Sequence, residues 1–128
     1  MTMFLDHTII PVKDQEDSVR FYTAILGLES GGRAGREGQF AVVRVNETLT
    51  LDFLAADGVS SQHFAFAMEA QEFDAAFERV KASGIPYGDS PWEVSNMKGP
   101  GMTHGARGLG KAVYFRDPSG HLLEIKTY

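Results

Sequence analysis

Apolar and polar residues follow the same order twice along the chain. The first round predicts a strand over residues 3–12 and a helix that Asp14 caps and Gly27 ends. Two further strands follow within residues 28–45, and a last strand runs over residues 48–54. This pattern is typical of a β-α-β-β-β unit.

The second round repeats the order of the first. It predicts a helix with apolar residues at the i, i+3, i+4, i+7 spacing, namely Phe73, Ala76, Phe77 and Val80. The predicted elements are a strand over 61–68, this helix over 72–83, a short strand near 86–89, and strands over 111–116 and 121–127. The sequence therefore predicts an α+β fold of two βαβββ modules, residues 1–57 and 58–128, within one domain of residues 1–128.

Each module opens with a histidine on its first strand and ends with a carboxylate inside an apolar strand. The histidines are His7 and His63, and the carboxylates are Asp52 and Glu124. Because side chains alternate between the two faces of a strand, His63, Asp52 and Glu124 lie opposite the bulky apolar residues that a helix would cover. A carboxylate in that position needs a proton or a cation. A divalent ion held by two imidazoles and one or two carboxylates meets this need.

Composition narrows the possible functions. The net charge of −5 argues against nucleic-acid binding, which needs a basic surface. The absence of cysteine excludes disulfides, cysteine-based zinc fingers and thiol nucleophiles. No segment approaches the roughly 20 apolar residues of a membrane span, and no signal peptide is visible. We therefore expect a cytoplasmic protein without a nucleic-acid or membrane partner.

One segment interrupts the repeat. Residues 92–110 contain five glycines and no clear periodicity, which predicts a long loop that covers a site as a mobile lid. The positive charge bias of this segment makes Arg107 and His104 candidate contacts for an anionic group of a substrate. The alternative is an ordinary solvated loop. The Gly- and Arg-rich turn predicted at residues 31–36 lacks the Lys-Ser/Thr ending of a phosphate-binding loop.

Three segments resemble the vicinal oxygen chelate superfamily, which contains glyoxalase I, fosfomycin-resistance enzymes, extradiol dioxygenases and bleomycin-resistance proteins. Two of them are the strands that begin at His7 and His63. The third and most specific is the run Tyr-Phe-x-Asp-Pro-x-Gly-His-x-x-Glu at residues 114–124. The resemblance covers nearly the whole chain. It implies a curved, mixed, eight-stranded sheet that forms a cup, with the helices on its outer face, and a homodimer.

The resemblance also implies a set of site residues. His7, His63 and Glu124 match the three common metal ligands, for which Mn, Fe, Ni, Co or Zn are all compatible. Asp52 matches the place of the fourth ligand of glyoxalase I, but an aspartate is one methylene shorter than the glutamate found there. Asp52 or Glu124 is the candidate base, and Tyr114 matches a cavity tyrosine. His121 faces opposite Glu124 and is expected to make a structural hydrogen bond.

The implied activity is metal-dependent chemistry on a small molecule with vicinal oxygens: glyoxalase-like lyase or isomerase, transferase, or dioxygenase chemistry. Ala112 stands where several fosfomycin enzymes have a serine, and an arginine that they carry after the last ligand is missing, which argues against fosfomycin as substrate. The alternative function is metal-independent sequestration of a small molecule or drug, as in bleomycin-resistance proteins. The retained ligand set favours an enzyme.

Overall fold

The computed structural model describes residues 2–128 as two compact units, which divide between Val59 and Ser60. Unit 1 contains one helix and a four-stranded sheet, and unit 2 contains one helix and a five-stranded sheet. Both sheets combine parallel and antiparallel pairs. The predicted α+β architecture is confirmed, with nine strands among the described residues. That the two units act as one domain stays a prediction.

Unit 1 has the predicted β-α-β-β-β order. Its elements are β1 (His7–Val12), α1 (Gln15–Leu26), β2 (Glu29–Ala34), β3 (Phe40–Arg44) and β4 (Thr50–Ala55). The strands lie in the order β1-β4-β3-β2, and β1 pairs with β4 in parallel. This pairing places Ile9 directly opposite Asp52, and His7 opposite Thr50.

Helix α1 packs against β3 and β4 of this sheet. Its Tyr22 ring lies 4.9 Å from the ring of Phe53, and both residues are fully buried. The ends of α1 are those that the sequence predicts: the Asp14 side chain accepts a hydrogen bond from the backbone N of Asp17 at 2.8 Å, and Gly27 adopts a left-handed conformation with φ of 73°. Alternation then places His7, Ile9 and Asp52 on the sheet face opposite α1.

Unit 2 contains the same core elements and one further strand. Its elements are β5 (His63–Ala67), α2 (Ala70–Ser83), β6 (Tyr87–Gly88), β7 (Gly101–Gly105), β8 (Gly108–Arg116) and β9 (Leu122–Thr127). The strands lie in the order β5-β9-β8-β6, and β7 pairs with β8. Helix α2 contacts β9 and buries Phe73, Ala76, Phe77 and Val80, which are the four apolar residues that predicted it.

The predicted lid over residues 92–110 is wrong in its second half. Gly101–Gly105 forms β7, and Gly108 begins β8, so this part of the segment is a β-hairpin. The glycines allow close contact between backbones: a Cβ on Gly101 would lie 2.2 Å from the carbonyl oxygen of Asp89, and one on Gly110 would lie 2.6 Å from that of Thr127.

The turn predicted at residues 31–36 is wrong at residues 31–34, which belong to β2, and the turn that joins β2 to β3 lies at residues 35–38. The glycine at position 31 lies at an irregularity in the pairing of β2 with β3, where a Cβ would come within 2.8 Å of Val42 Cγ1. Neither helix among residues 2–128 is both long and apolar enough to cross a membrane.

Candidate functional site

The face of the unit 2 sheet opposite α2 carries a row of polar side chains, which we call the polar face. Strand pairing aligns Ala65 of β5, Glu124 of β9 and Tyr114 of β8 across the sheet. His63 and Lys126 lie on the same face, because each is two residues from a member of this row. The small side chain of Ala65 leaves room beside the carboxylate. The β-alternation predicted for His63 and Glu124 is therefore confirmed.

His63 and Glu124 form a pair at the centre of the polar face. His63 Nε2 lies 3.0 Å from Glu124 Oε1, although the two residues are 61 positions apart in the chain. The His63 side chain is 45% exposed, whereas that of Glu124 is 6% exposed. Two donors that bind one ion at about 2.1 Å and at right angles lie about 3 Å apart. The imidazole nitrogen and the carboxylate oxygen therefore fit adjacent positions around a divalent cation.

Lys126 lies next to this pair. Its Nζ is 3.5 Å from Glu124 Oε2 and donates hydrogen bonds to the backbone oxygen of Thr103 at 2.7 Å and to Thr103 Oγ1 at 3.0 Å. The side chain is 3% exposed. The positive charge of Lys126 thus offsets the negative charge of Glu124 inside the protein.

Tyr114 is buried beside the same carboxylate. Its hydroxyl lies 2.8 Å from Thr103 Oγ1, and its ring lies 6.2 Å from that of His63. Burial raises the pKa of Tyr114 above its ordinary value, the hydrogen bond with Thr103 acts in the opposite direction, and the charge of Glu124 raises the pKa further. The phenol therefore stays protonated at neutral pH and can donate a hydrogen bond.

In unit 1, His7 and Asp52 lie on the sheet face opposite α1. His7 Nδ1 donates to Asp6 Oδ2 at 2.7 Å, which leaves Nε2 as the nitrogen that can bind a metal. This hydrogen bond raises the pKa of His7, and the charge of Asp52 adds to the effect against the opposing influence of desolvation. Asp52 is buried, and its Oδ1 accepts a hydrogen bond from Thr50 at 2.8 Å.

The two matching sheet faces differ in polarity. Two residues after its carboxylate, unit 1 has Leu54, whereas unit 2 has Lys126. Strand pairing likewise places Val42 opposite Asp52, where Tyr114 lies opposite Glu124. The carboxylate of unit 2 therefore has a lysine and a tyrosine at the two positions where unit 1 has apolar side chains, and Thr50 is the polar partner of Asp52.

The remaining candidates occupy different places in unit 2. His121 is fully buried, and its Nδ1 accepts a hydrogen bond from the backbone N of Gln62 at 3.1 Å, so the predicted structural role is confirmed. Arg107 lies in the turn between β7 and β8, with its guanidinium 5.9 Å from the Tyr128 ring. His104 is exposed and lies on the face of β7 opposite Thr103. Their suggested contact with a substrate stays a prediction.

Within each unit of the described chain, no three histidine or acidic side chains gather closely enough to hold a metal ion. Unit 2 supplies His63 and Glu124, and unit 1 supplies His7 and Asp52. The predicted set of His7, His63 and Glu124 thus takes its members from both units, and it stays a prediction.

Residues 4–125 match the family model described as the Glyoxalase/Bleomycin resistance protein/Dioxygenase superfamily. The chain belongs to this superfamily. Among solved structures, the chain is similar to Oxidase ChaP-H2, with 35% identity, a TM-score of 0.85, and coverage of 100% of this chain and 95% of that one.

Two curated relatives carry the names of transferases. The chain is 35% identical over 68 residues to Metallothiol transferase FosB from Shouchella clausii, covering 53% of this chain and 39% of that protein. It is 23% identical over 129 residues to Glutathione transferase FosA from Serratia marcescens, covering 98% of this chain and 81% of that one. The superfamily resemblance is confirmed, and relatives within it are named as enzymes.

Sequence reasoning missed the roles of Lys126 and Thr103. Alternation along β9 already places Lys126 on the same face as Glu124. A lysine in an apolar strand two residues after a candidate ligand was the available signal. Thr103 could not be assigned a role in the same way, because its strand was predicted as a loop.

Proposed function

We propose that this protein is a divalent-metal-dependent enzyme that acts on a small molecule with vicinal oxygens. The observation that carries the proposal is the His63–Glu124 pair, in which Nε2 and Oε1 lie 3.0 Å apart on one sheet face. An imidazole and a buried carboxylate are a donor set that suits Mn, Fe, Ni, Co or Zn. Superfamily membership and the enzyme names of its relatives support this assignment.

His7 is the proposed third ligand, supplied by the same chain or by a second copy in a homodimer. Its Nδ1 is hydrogen-bonded to Asp6, which fixes the ring and reserves Nε2 for the metal. Asp52 is the second carboxylate of the proposed site, as a fourth ligand, a base or a neighbour of the ligands.

The proposed chemistry of the bound ion is Lewis-acid stabilisation of negative charge that develops on two vicinal substrate oxygens. Glu124 or Asp52 would take a proton from the substrate. Tyr114 would donate a hydrogen bond from its hydroxyl, which the raised pKa keeps protonated. Arg107 and His104 remain candidate contacts for an anionic group. Lyase, isomerase, transferase and dioxygenase reactions all fit this arrangement, and the proposed compartment is the cytoplasm.

A second candidate function is sequestration of a small molecule without a metal, as the bleomycin-resistance part of the superfamily name suggests. An open surface depression of about 590 Å³ in unit 2 favours this function as a separate binding surface. It is lined by Arg107, Tyr128, Glu69, Glu72 and neighbouring residues. The polar face argues for the enzyme, since a sequestering protein has no need for a buried carboxylate beside an imidazole.

Metal content separates the two functions. We expect the purified protein to hold about one divalent ion per chain and His63→Ala to lose it, because that change removes one donor. His104→Ala is the matched control for metal content, since His104 is exposed on the opposite side of its sheet. Elemental analysis and calorimetric titration with Mn²⁺, Fe²⁺, Ni²⁺, Co²⁺ and Zn²⁺ measure the loss.

A chelator-treated protein distinguishes the candidates further. The enzyme should lose turnover of thiol adducts of methylglyoxal, of epoxides or of catechols, and regain it with the matching ion. Undiminished ligand affinity in the metal-free protein, together with no metal binding by the unmodified chain, would favour sequestration instead.

A further inference from the structure

The Lys126 ammonium is enclosed by oxygen atoms. Four lie within 3.5 Å of Nζ: the backbone oxygen and Oγ1 of Thr103, the backbone oxygen of Gly110 at 3.3 Å, and Glu124 Oε2. An ammonium has three N–H donors, so these four acceptors account for all of them. The Tyr128 ring also lies 5.6 Å from Nζ. With its donors engaged and its side chain buried, Lys126 does not reach a substrate.

The carboxylate of Glu124 is consequently held from two sides. Oε1 lies 3.0 Å from His63 Nε2, and Oε2 lies 3.5 Å from Lys126 Nζ. A partial rotation of the carboxylate would lengthen both contacts, and Lys126 opposes such a rotation because its own position is fixed by Thr103 and Gly110. The lysine stem is itself confined, since a Cβ on Gly105 would lie 2.9 Å from Lys126 Cδ and Cε.

We propose that Lys126 is a positioning residue that ties the β7–β8 hairpin to Glu124 and presents Oε1 alone to the metal. This inference rests on the proposed metal centre for the role of Oε1, but the tie between the hairpin and Glu124 exists without a metal. The corresponding position of unit 1 is Leu54, which cannot form such a charged contact with Asp52.

A positioning role and a bystander charge predict opposite changes in metal affinity. Removing a positive charge beside Oε2 would by itself strengthen cation binding, because like charges repel. Removing a group that orients a ligand weakens binding, typically by about 10- to 100-fold for such outer partners. We expect Lys126→Met to weaken Co²⁺ binding by about 10-fold, and to change the visible absorption of the Co²⁺ complex because the carboxylate is no longer held in one orientation.

The experiment compares the full-length wild type with Lys126→Met and with Lys111→Met, a control that removes the same charge from an exposed position on the adjacent strand. Calorimetry and Co²⁺ absorption measure the metal site, and amide hydrogen exchange of the metal-free proteins measures the hairpin. Faster exchange over residues 101–110 in Lys126→Met only is expected. If Lys126→Met does not fold, Lys126→Gln replaces it, because its amide still donates to backbone oxygens while its charge is absent.

Unchanged or tighter Co²⁺ binding by the Lys126 variant, with the wild-type spectrum, would overturn the positioning role. If the wild type binds no Co²⁺, the proposed function fails on its own. The tie is then judged by hydrogen exchange alone: equal exchange in wild type and variant rejects it, and faster exchange over the hairpin supports it.

Discussion

His7 and His63 each contact a carboxylate, but through different ring nitrogens. Asp6 binds His7 through Nδ1, whereas Glu124 meets His63 through Nε2. A histidine that binds a metal commonly donates its other N–H to a carboxylate, and Asp6 is placed for that role. The same contact raises the pKa of His7. Asp6 therefore orients the ring and also favours its protonated form.

The effect of Asp6 can be measured by NMR. We predict that Asp6→Asn lowers the pKa of His7, because the hydrogen bond to Asp6 is the largest cause of its upward shift. A pH titration of the His7 ring protons is the measurement, with Asp57→Asn as an exposed control. A His7 titration curve that Asp6→Asn leaves unchanged would contradict the assignment.

This shift also has a definite sign for stability. The pKa of His7 is higher in the folded protein than in the unfolded chain. Protonated His7 therefore stabilises the fold fully below the ordinary pKa of histidine, and this stabilisation disappears as pH rises through the raised pKa. Asp6→Asn should therefore reduce stability on the acidic side of that window, and by little, because both side chains are largely exposed. Thermal unfolding at pH values on either side of the window tests the sign.

At single positions, the sequence predicted His63, Glu124 and the neighbouring Tyr114, but not the roles of Lys126 and Thr103 beside them. Repetition of the unit and strand alternation locate His63 and Glu124, because both signals depend only on spacing along the chain. The partners of Lys126 lie on Thr103 and Gly110, whose strand positions depend on a hairpin that periodicity does not reveal. Long-range partners of this kind require the register between strands.

At the level of elements, glycines have two unrelated roles in this chain. Gly84 ends α2 with φ of 76°, a conformation that other residues rarely adopt, and a Cβ there would meet nothing within 4 Å. Gly101 has no such strain but allows backbones to approach closely. The sequence predicted the helix ends because a cap follows from local residues. It predicted β7 as loop because close approach between strands leaves no local signal.

Alanine substitutions separate backbone strain from packing. Gly84→Ala should destabilise the protein by about 1–2 kcal/mol, because only the left-handed backbone conformation penalises the new Cβ. Gly58→Ala is the matched control: its Cβ also meets nothing within 4 Å, but its backbone is not left-handed. Denaturant unfolding of both variants gives the difference. Equal losses would show that the conformation of Gly84 is not the cause.

At the level of the whole molecule, two units with the same core elements present two different surfaces. Unit 2 surrounds its carboxylate with Tyr114 and Lys126, whereas unit 1 has Val42 and Leu54 at the matching places. The order of elements in each unit could be predicted, because it follows from periodicity. The proposed combination of His7 with His63 and Glu124 could not be derived in this way, because periodicity carries no information on contacts between units.

Mixing two variants determines which chain completes the proposed metal site. His7→Ala and His63→Ala should each fail to bind metal as homodimers. If His7 of one chain serves the partner's His63 and Glu124, a heterodimer of the two variants contains one site with every ligand intact. We expect tandem-tag-purified heterodimers to bind a single divalent ion, measured by elemental analysis. Metal-free heterodimers, beside a metal-loaded wild type, would instead show that each chain builds its site from its own two units, because each site would then lack one histidine.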